Sequence, residues 1–200
     1  MAIDIRFVSS VTERDIDLLV LEELSVNQEF QDWIVTRTIG PNSFSELLGA
    51  WHSVVDSSLG ETDIQFLYLS EDGQRIALLI ENKISAPPQP AQSIRYRQRG
   101  EKGIAEGYWE DFCTVAIAPA KYLASSQHSE TYDHELSYEE ILAFFSSRRS
   151  RDQRFSYRAS LVLEAIEQNR RGYQPEQDED MTSFVAAYYE TFSKLVPQLS

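Results

Sequence analysis

Two apolar runs joined by a tight turn constrain this chain more than any other stretch. The first spans Glu61 to Ser70 and the second Arg75 to Lys83. Both are filled with apolar, aromatic and β-branched residues, and Asp72 and Gly73 between them supply a hairpin signal, so the sequence predicts two paired strands. From Ile76 to Ile80 the second run is apolar on both faces, as in the middle of a covered sheet. It then ends in a carboxylate and an ammonium. Side chains two apart on a strand share a face, so Glu81 and Lys83 project together. In an antiparallel hairpin the start of one strand lies beside the end of the other, which brings Asp63 next to them.

Two carboxylates and a lysine at the end of a sheet suit a hard divalent cation. Asp63 and Glu81 offer oxygen ligands of the kind magnesium takes, and a metal there would hold a phosphate oxygen and acidify a water. Lys83 would orient or deprotonate that water, or offset charge on the phosphate. A structural ion pair on a sheet edge would use the same residues, and a lone Glu-x-Lys does not separate the two readings. Ten residues on, Pro90 fits the first position of a helix and Gly100 the position past its end, which predicts a helix over 90–99. Gln92, Arg95, Tyr96 and Arg99 fall on one arc of it, giving a polar, basic face directly after the hairpin.

Asp63, then Glu81, Asn82 and Lys83, then Gln92-x-x-x-Tyr96 resembles the PD-(D/E)XK nuclease superfamily. The Gln-x-x-x-Tyr element is similar to its RecB-like and phage-exonuclease-like branch. The resemblance covers roughly residues 12 to 120; Thr62 stands where the family name has proline. It implies a restriction-endonuclease-like αβββαβ core and Mg²⁺- or Mn²⁺-dependent hydrolysis of phosphodiester bonds, in DNA before RNA. Asp63, Glu81 and the main-chain carbonyl of Asn82 would hold metal, and Lys83 would position water or stabilise the transition state. Gln92 and Tyr96 would shape the site and contact DNA, while Arg95 and Arg99 grip phosphates.

Composition sets limits around this reading. Two hundred residues, 42% hydrophobic and 25% charged, suit a single globular domain over residues 1–200. A single cysteine, Cys113, excludes an internal disulfide framework and a Cys-rich zinc site. The first residues lack the basic-then-apolar order of a signal peptide, and no apolar run approaches a membrane span, so the expectation is a soluble cytoplasmic protein away from membranes. The net charge of −14 opposes nucleic-acid binding on average. Yet ten of the 18 Lys and Arg lie in two windows, from Lys83 to Lys102 and from Arg148 to Arg158, leaving room for a local basic groove.

Along the chain, Thr12 is a fitting N-cap for one helix from about Glu13 to Val35. Its apolar arc runs through Ile16, Val20, Leu24 and Ile34, and Glu23 is out of place within it. A carboxylate there needs a partner or a metal. In the resembled branch an acid of the first helix helps hold metal, which makes Glu23 the third candidate ligand and Glu22 the fallback. Pairing of Glu23 with a buried arginine or with Lys83 is the other reading. Asn42 or Ser43 would cap a short helix through Leu48, and the resemblance favours a strand over 51–57, although periodicity also allows one helix from Phe44 to Val55. Pro87, Pro88 and Pro90 stiffen a loop beside the site. Gly100 to Gly107 reads as a turn, and 112–118 as a strand closed by Pro119.

Beyond the core, a helical extension over about 137–196 is expected: Tyr138 to Phe145 capped by Ser137, Arg154 to Asn169, and a last helix. The row Arg151, Arg154, Arg158 faces either nucleic-acid phosphates or the protein's own acids, the latter favoured in so acidic a chain. The stripe Phe184, Ala187, Tyr188 and Phe192 suits packing on the core or a homodimer contact. His52 is isolated, and His128 and His134 lack zinc spacing. The alternative to a nuclease is the same α/β fold without cleavage, serving as a protein- or nucleic-acid-binding module.

Overall fold

The structure is a computed structural model and describes residues 10–41, 43–125 and 131–172. Its centre is one mixed, open five-stranded sheet whose strands lie side by side in chain order: β1 (Glu46–Asp56), β2 (Gly60–Leu69), β3 (Arg75–Asn82), β4 (Asp111–Ala118) and β5 (His134–Ser137). The first three form an antiparallel meander, with Ile64 opposite Ile80 and Leu67 opposite Ala77. Helix α3 (Gln92–Ala105) then carries the chain across to β4, which runs parallel to β3, and β5 runs parallel to β4. The expected coarse class, α/β with a mixed sheet and flanking helices, holds.

The two faces of the sheet are covered unequally. Ile64, Phe66, Tyr68, Leu78, Ile80, Val115 and Ile117 pack into the main core with α1 (Glu13–Val26), α2 (Gln28–Thr38), α5 (Tyr138–Ser146) and α6 (Gln153–Arg171). A Leu→Ala change at a site as buried as Leu78 costs about 2–5 kcal/mol. The opposite face carries only a small cluster, Ala77, Leu79, Tyr96 and Trp109, covered by α3. The four-residue α4 (Ala120–Leu123) completes the described elements.

Several boundaries differ from the expectation. The first helix is two, because Asn27 takes an extended backbone (φ −115°, ψ 96°) and its side chain caps α2 through the Phe30 N–H. The short helix expected to end at Leu48 is not formed among the described residues; the chain from Glu46 pairs with β2 along its whole length, since a tertiary ladder outweighs a weak local helical pattern. Helix α3 starts at Gln92, not Pro90, after Ala91 in the left-handed region (φ 54°). It also runs through Gly100, so the expected turn over 100–107 is mostly helix. Those glycines mark close packing: a Cβ on Gly100 would fall 2.2 Å from the Phe112 ring, and one on Gly103 1.9 Å from the Trp109 ring. The polar edge strand β5 was not expected. Helix α5 follows the prediction, with a Ser137–Glu140 capping box. The stripe Phe184 to Phe192 and its dimer contact, and His128, lie outside the described residues.

Candidate active site

The β2–β3 register determines what meets at the end of the hairpin. Ile64 opposes Ile80 as the last pair of the ladder, so Asp63 and Glu81 sit one step beyond it on neighbouring strands, and the Glu81 charge acts on Asp63. An Asp63 carboxylate oxygen accepts the Asn82 N–H at 2.9 Å. Glu81 is 2% exposed. Its Oε1 accepts from Lys83 Nζ at 2.6 Å and from Gln92 Nε2 at 2.7 Å, while its Oε2 is buried with no hydrogen-bond partner among the described residues. Tyr96, one turn along α3 from Gln92, accepts the Asp63 N–H at 3.1 Å and donates to the Ile80 carbonyl at 3.2 Å. Asp63, Glu81, Lys83, Gln92 and Tyr96 therefore converge as the sequence predicts.

Burial and crowding set the charge states. Burial, followed by the Glu81 charge, pushes the Asp63 carboxyl up to about 8. Burial disfavours the Lys83 ammonium, but Glu81, Glu13 and Asp63 together outweigh it and hold Lys83 above its ordinary value. Lys83 is thus a fixed cation at neutral pH and does not suit proton abstraction, which narrows its role to orientation and charge stabilisation.

Other expected participants are differently placed. Glu23 forms a buried ion pair with Arg158 and accepts from Asn27 Nδ2, and Glu22 reaches the same guanidinium at 2.8 Å. The pairing with a buried arginine is the reading that holds, and the metal role assigned to Glu23 is corrected. The supposed basic arc of α3 turns inward. Arg99 is buried, donating to Thr62 Oγ1 at 2.7 Å and to the Leu59 carbonyl, with its guanidinium 4.2 Å from the Tyr96 ring centre. The Tyr96 ring is fully buried and supports the site from within instead of contacting a ligand. Arg95 stays partly exposed at the helix start, bonded to the Pro90 carbonyl and, at 3.0 Å, to Gln89 Oε1. The Asn82 side chain points to the opposite face, donating to the Glu13 carbonyl at 3.0 Å and accepting from Tyr138 Oη at 2.6 Å. The later arginines are self-paired: Arg148 and Arg151 with Glu29, Arg154 with Asp152.

On that opposite face two unexpected residues approach the same strand end. Asp17 of α1 is buried beside Asn82, and His52 Nε2 lies 3.5 Å from its Oδ2. Burial raises the Asp17 carboxyl to about 6, with Asn82 and His52 pulling the other way. Its charge also acts on Asp63. His52 is therefore not isolated. The signal for Asp17 is present in the sequence: like Glu23, it shares the buried arc of Ile16, Val20 and Leu24.

Among the described residues no group of three His, Cys, Asp or Glu side chains is arranged to hold a metal. The pair Asp63 and Glu81 still suits magnesium, which is commonly held by one or two carboxylates with waters and substrate phosphate completing its octahedron. The Glu81 Oε2 is a buried oxygen without a donor among the described residues, and the Asp63 carboxyl is raised first by burial and then by the Glu81 charge, so ionising both acids together needs a further counter-charge. No family model, no curated protein and no solved structure matches the chain.

Proposed function

We propose that the protein is a metal-dependent phosphodiesterase acting on nucleic acid, DNA before RNA, built on a restriction-endonuclease-like core. The observation that carries this reading is the buried pair Asp63 and Glu81 beside Lys83, with Glu81 Oε2 unpartnered among the described residues and the Asp63 carboxyl raised by burial and by the Glu81 charge. Asp63 and Glu81 would hold Mg²⁺ or Mn²⁺, with the Asn82 carbonyl at the same strand end. The bound cation would supply Lewis acidity and a water of lowered pKa. Lys83, held as an ammonium, offsets charge gathering on the phosphate oxygens. Gln92 fixes the orientation of Glu81 through its 2.7 Å bond, and Tyr96 ties the backbones of Asp63 and Ile80 together. Two acids of α1 act on this strand end through their charge, Asp17 on Asp63 and Glu13 on Lys83.

One observation favours the second reading, a binding module without cleavage: Lys83 and Gln92 already occupy Glu81 Oε1, as in a closed structural network. The deciding experiment is cleavage of single-stranded, double-stranded and branched DNA and of RNA with Mg²⁺ or Mn²⁺, by wild type and Glu81→Gln. Metal-dependent cutting lost in the variant supports the nuclease. A folded wild type that cuts nothing and gains no thermal stability from Mn²⁺ favours the binding module.

A further inference from the structure

The α3 face of the sheet is covered only on its inner strands, and outside α3 a groove of about 520 Å³ opens. Gln65, Leu67 and Leu79 line its floor, Trp51 stands on the β1 side and Tyr108 on the α3 side. One end reaches Thr62 and Arg99, beside Asp63. Trp51 and Tyr108 are 44% and 58% exposed, unusual for two large rings bordering one groove. The Trp51 indole lies over Gly49, where a Cβ would meet it at 2.2 Å, so the ring is seated against the strand. Trp51 pairs with Gln65, two residues along β2 from Asp63. Strand geometry puts the Trp51 and Asp63 backbones about 8 Å apart.

The groove also carries cations. Arg75 pairs with Glu110, and Lys102 with Asp56 and, at 3.9 Å, Glu106. The Arg75–Glu110 pair is exposed on both sides and worth only about 0–1 kcal/mol, so a phosphate can compete for Arg75; Lys102 is 42% exposed beside a more covered Asp56 and can meet a phosphate while keeping that partner. Arg99 differs. It is 8% exposed, forms no ion pair among the described residues, and its Nη2 has no hydrogen-bond partner among them. Its Nε and Nη1 are anchored to Thr62 and Leu59, leaving a cation without a direct ion pair among the described residues where the groove meets Asp63 and Glu81, whose charges act on it from within.

We propose that this groove binds an unpaired polynucleotide strand, with bases stacking on Trp51 and Tyr108 and phosphates beside Lys102 and Arg99, feeding the strand to Asp63 and Glu81. The proposal rests on the phosphodiesterase reading for the last step only. Every base has a π-face that an aromatic ring can hold, so such a platform takes single strands without sequence preference. Bases inside a duplex are stacked on one another and cannot reach the rings.

The test is fluorescence anisotropy of a labelled oligothymidylate at low salt with EDTA, so that cleavage does not intervene. An abasic oligomer of equal length and a hairpin duplex serve as comparison probes. The expected result is tighter binding of the oligothymidylate than of either, about 10-fold weaker binding by Trp51→Ala and by Tyr108→Ala, and near-normal binding by Trp51→Phe. Equal affinity for the abasic or duplex probe, or affinity unchanged in both alanine variants, overturns the groove. Metal-dependent cleavage lost in Glu81→Gln alongside Trp51-independent binding overturns the groove and leaves the phosphodiesterase standing. Trp51-dependent binding by a protein that cuts nothing supports the groove and removes the phosphodiesterase.

Discussion

Two buried acidic clusters lie on opposite sides of this fold, and their partners separate them. On α1, Glu23 is fully buried, yet Arg158 from α6 and the Asn27 amide meet it, and Glu22 shares the same guanidinium. At the end of β2 and β3, Asp63 and Glu81 sit on neighbouring strands with Lys83 paired to Glu81, one Glu81 oxygen unpartnered among the described residues and the Asp63 carboxyl displaced upward. Both clusters contain a carboxylate inside an apolar setting, which by itself signals only that something must compensate. In the first the compensation is built into the chain. In the second, Lys83 is the direct cation for Glu81 alone and Asp63 is raised toward its neutral form, so a divalent cation would supply the counter-charge that lets both acids ionise.

The comparison predicts different failures. Arg158→Ala strands Glu23 as a buried, unpaired charge and should cost about 3–5 kcal/mol in urea unfolding, while leaving any metal binding by the folded protein unchanged; a loss below 1 kcal/mol would mean that the pair is not structural. Lys83→Ala also strands a buried carboxylate, Glu81, and should cost a comparable few kcal/mol in the metal-free protein. What sets it apart is function: in protein kept folded, cleavage should fall about 10²–10³-fold, and unchanged cleavage would remove Lys83 from the reaction. A third effect concerns pH. The folded Asp63 carboxyl lies near 8 against an ordinary 3.8, so the folded state binds the proton more tightly than the unfolded chain. Its carboxylate therefore weakens the metal-free fold increasingly as pH rises from about 4 to about 8. Asp63→Asn should gain stability over wild type across that window, from close to none at pH 4 to several kcal/mol at pH 8. Unfolding in EDTA at both pH values checks this, and a pH-independent difference would contradict it. Smallest of all, Arg151→Ala removes an exposed pair with Glu29 and should change stability by less than about 1 kcal/mol.

How far each cluster was legible in the sequence follows from the range of the interactions involved. The hairpin and its terminal Asp63, Glu81 and Lys83 could be placed because strand alternation and a tight turn fix neighbours within twenty residues. Gln92 and Tyr96 could be placed because i,i+4 spacing puts them on one helix face. What that face met could not be read. A stripe of Gln, Arg, Tyr and Arg looks solvated until α3 is laid on the sheet, where Arg99 finds Thr62 and the Tyr96 ring. The partner of Glu23 sits 135 residues away on α6, beyond any periodicity, and Asp17 and His52 meet only because β1 passes under α1. Gly100 and Gly103 read as helix breakers because their actual task, admitting the Phe112 and Trp109 rings, is tertiary.

Calorimetric titration of Mn²⁺ into wild type, Glu81→Gln and Glu23→Gln tests the contrast most directly. Wild type and Glu23→Gln should bind with the same affinity, and Glu81→Gln should lose binding. Undiminished binding by Glu81→Gln, or loss confined to Glu23→Gln, would contradict the assignment of the cation to the β2–β3 carboxylates.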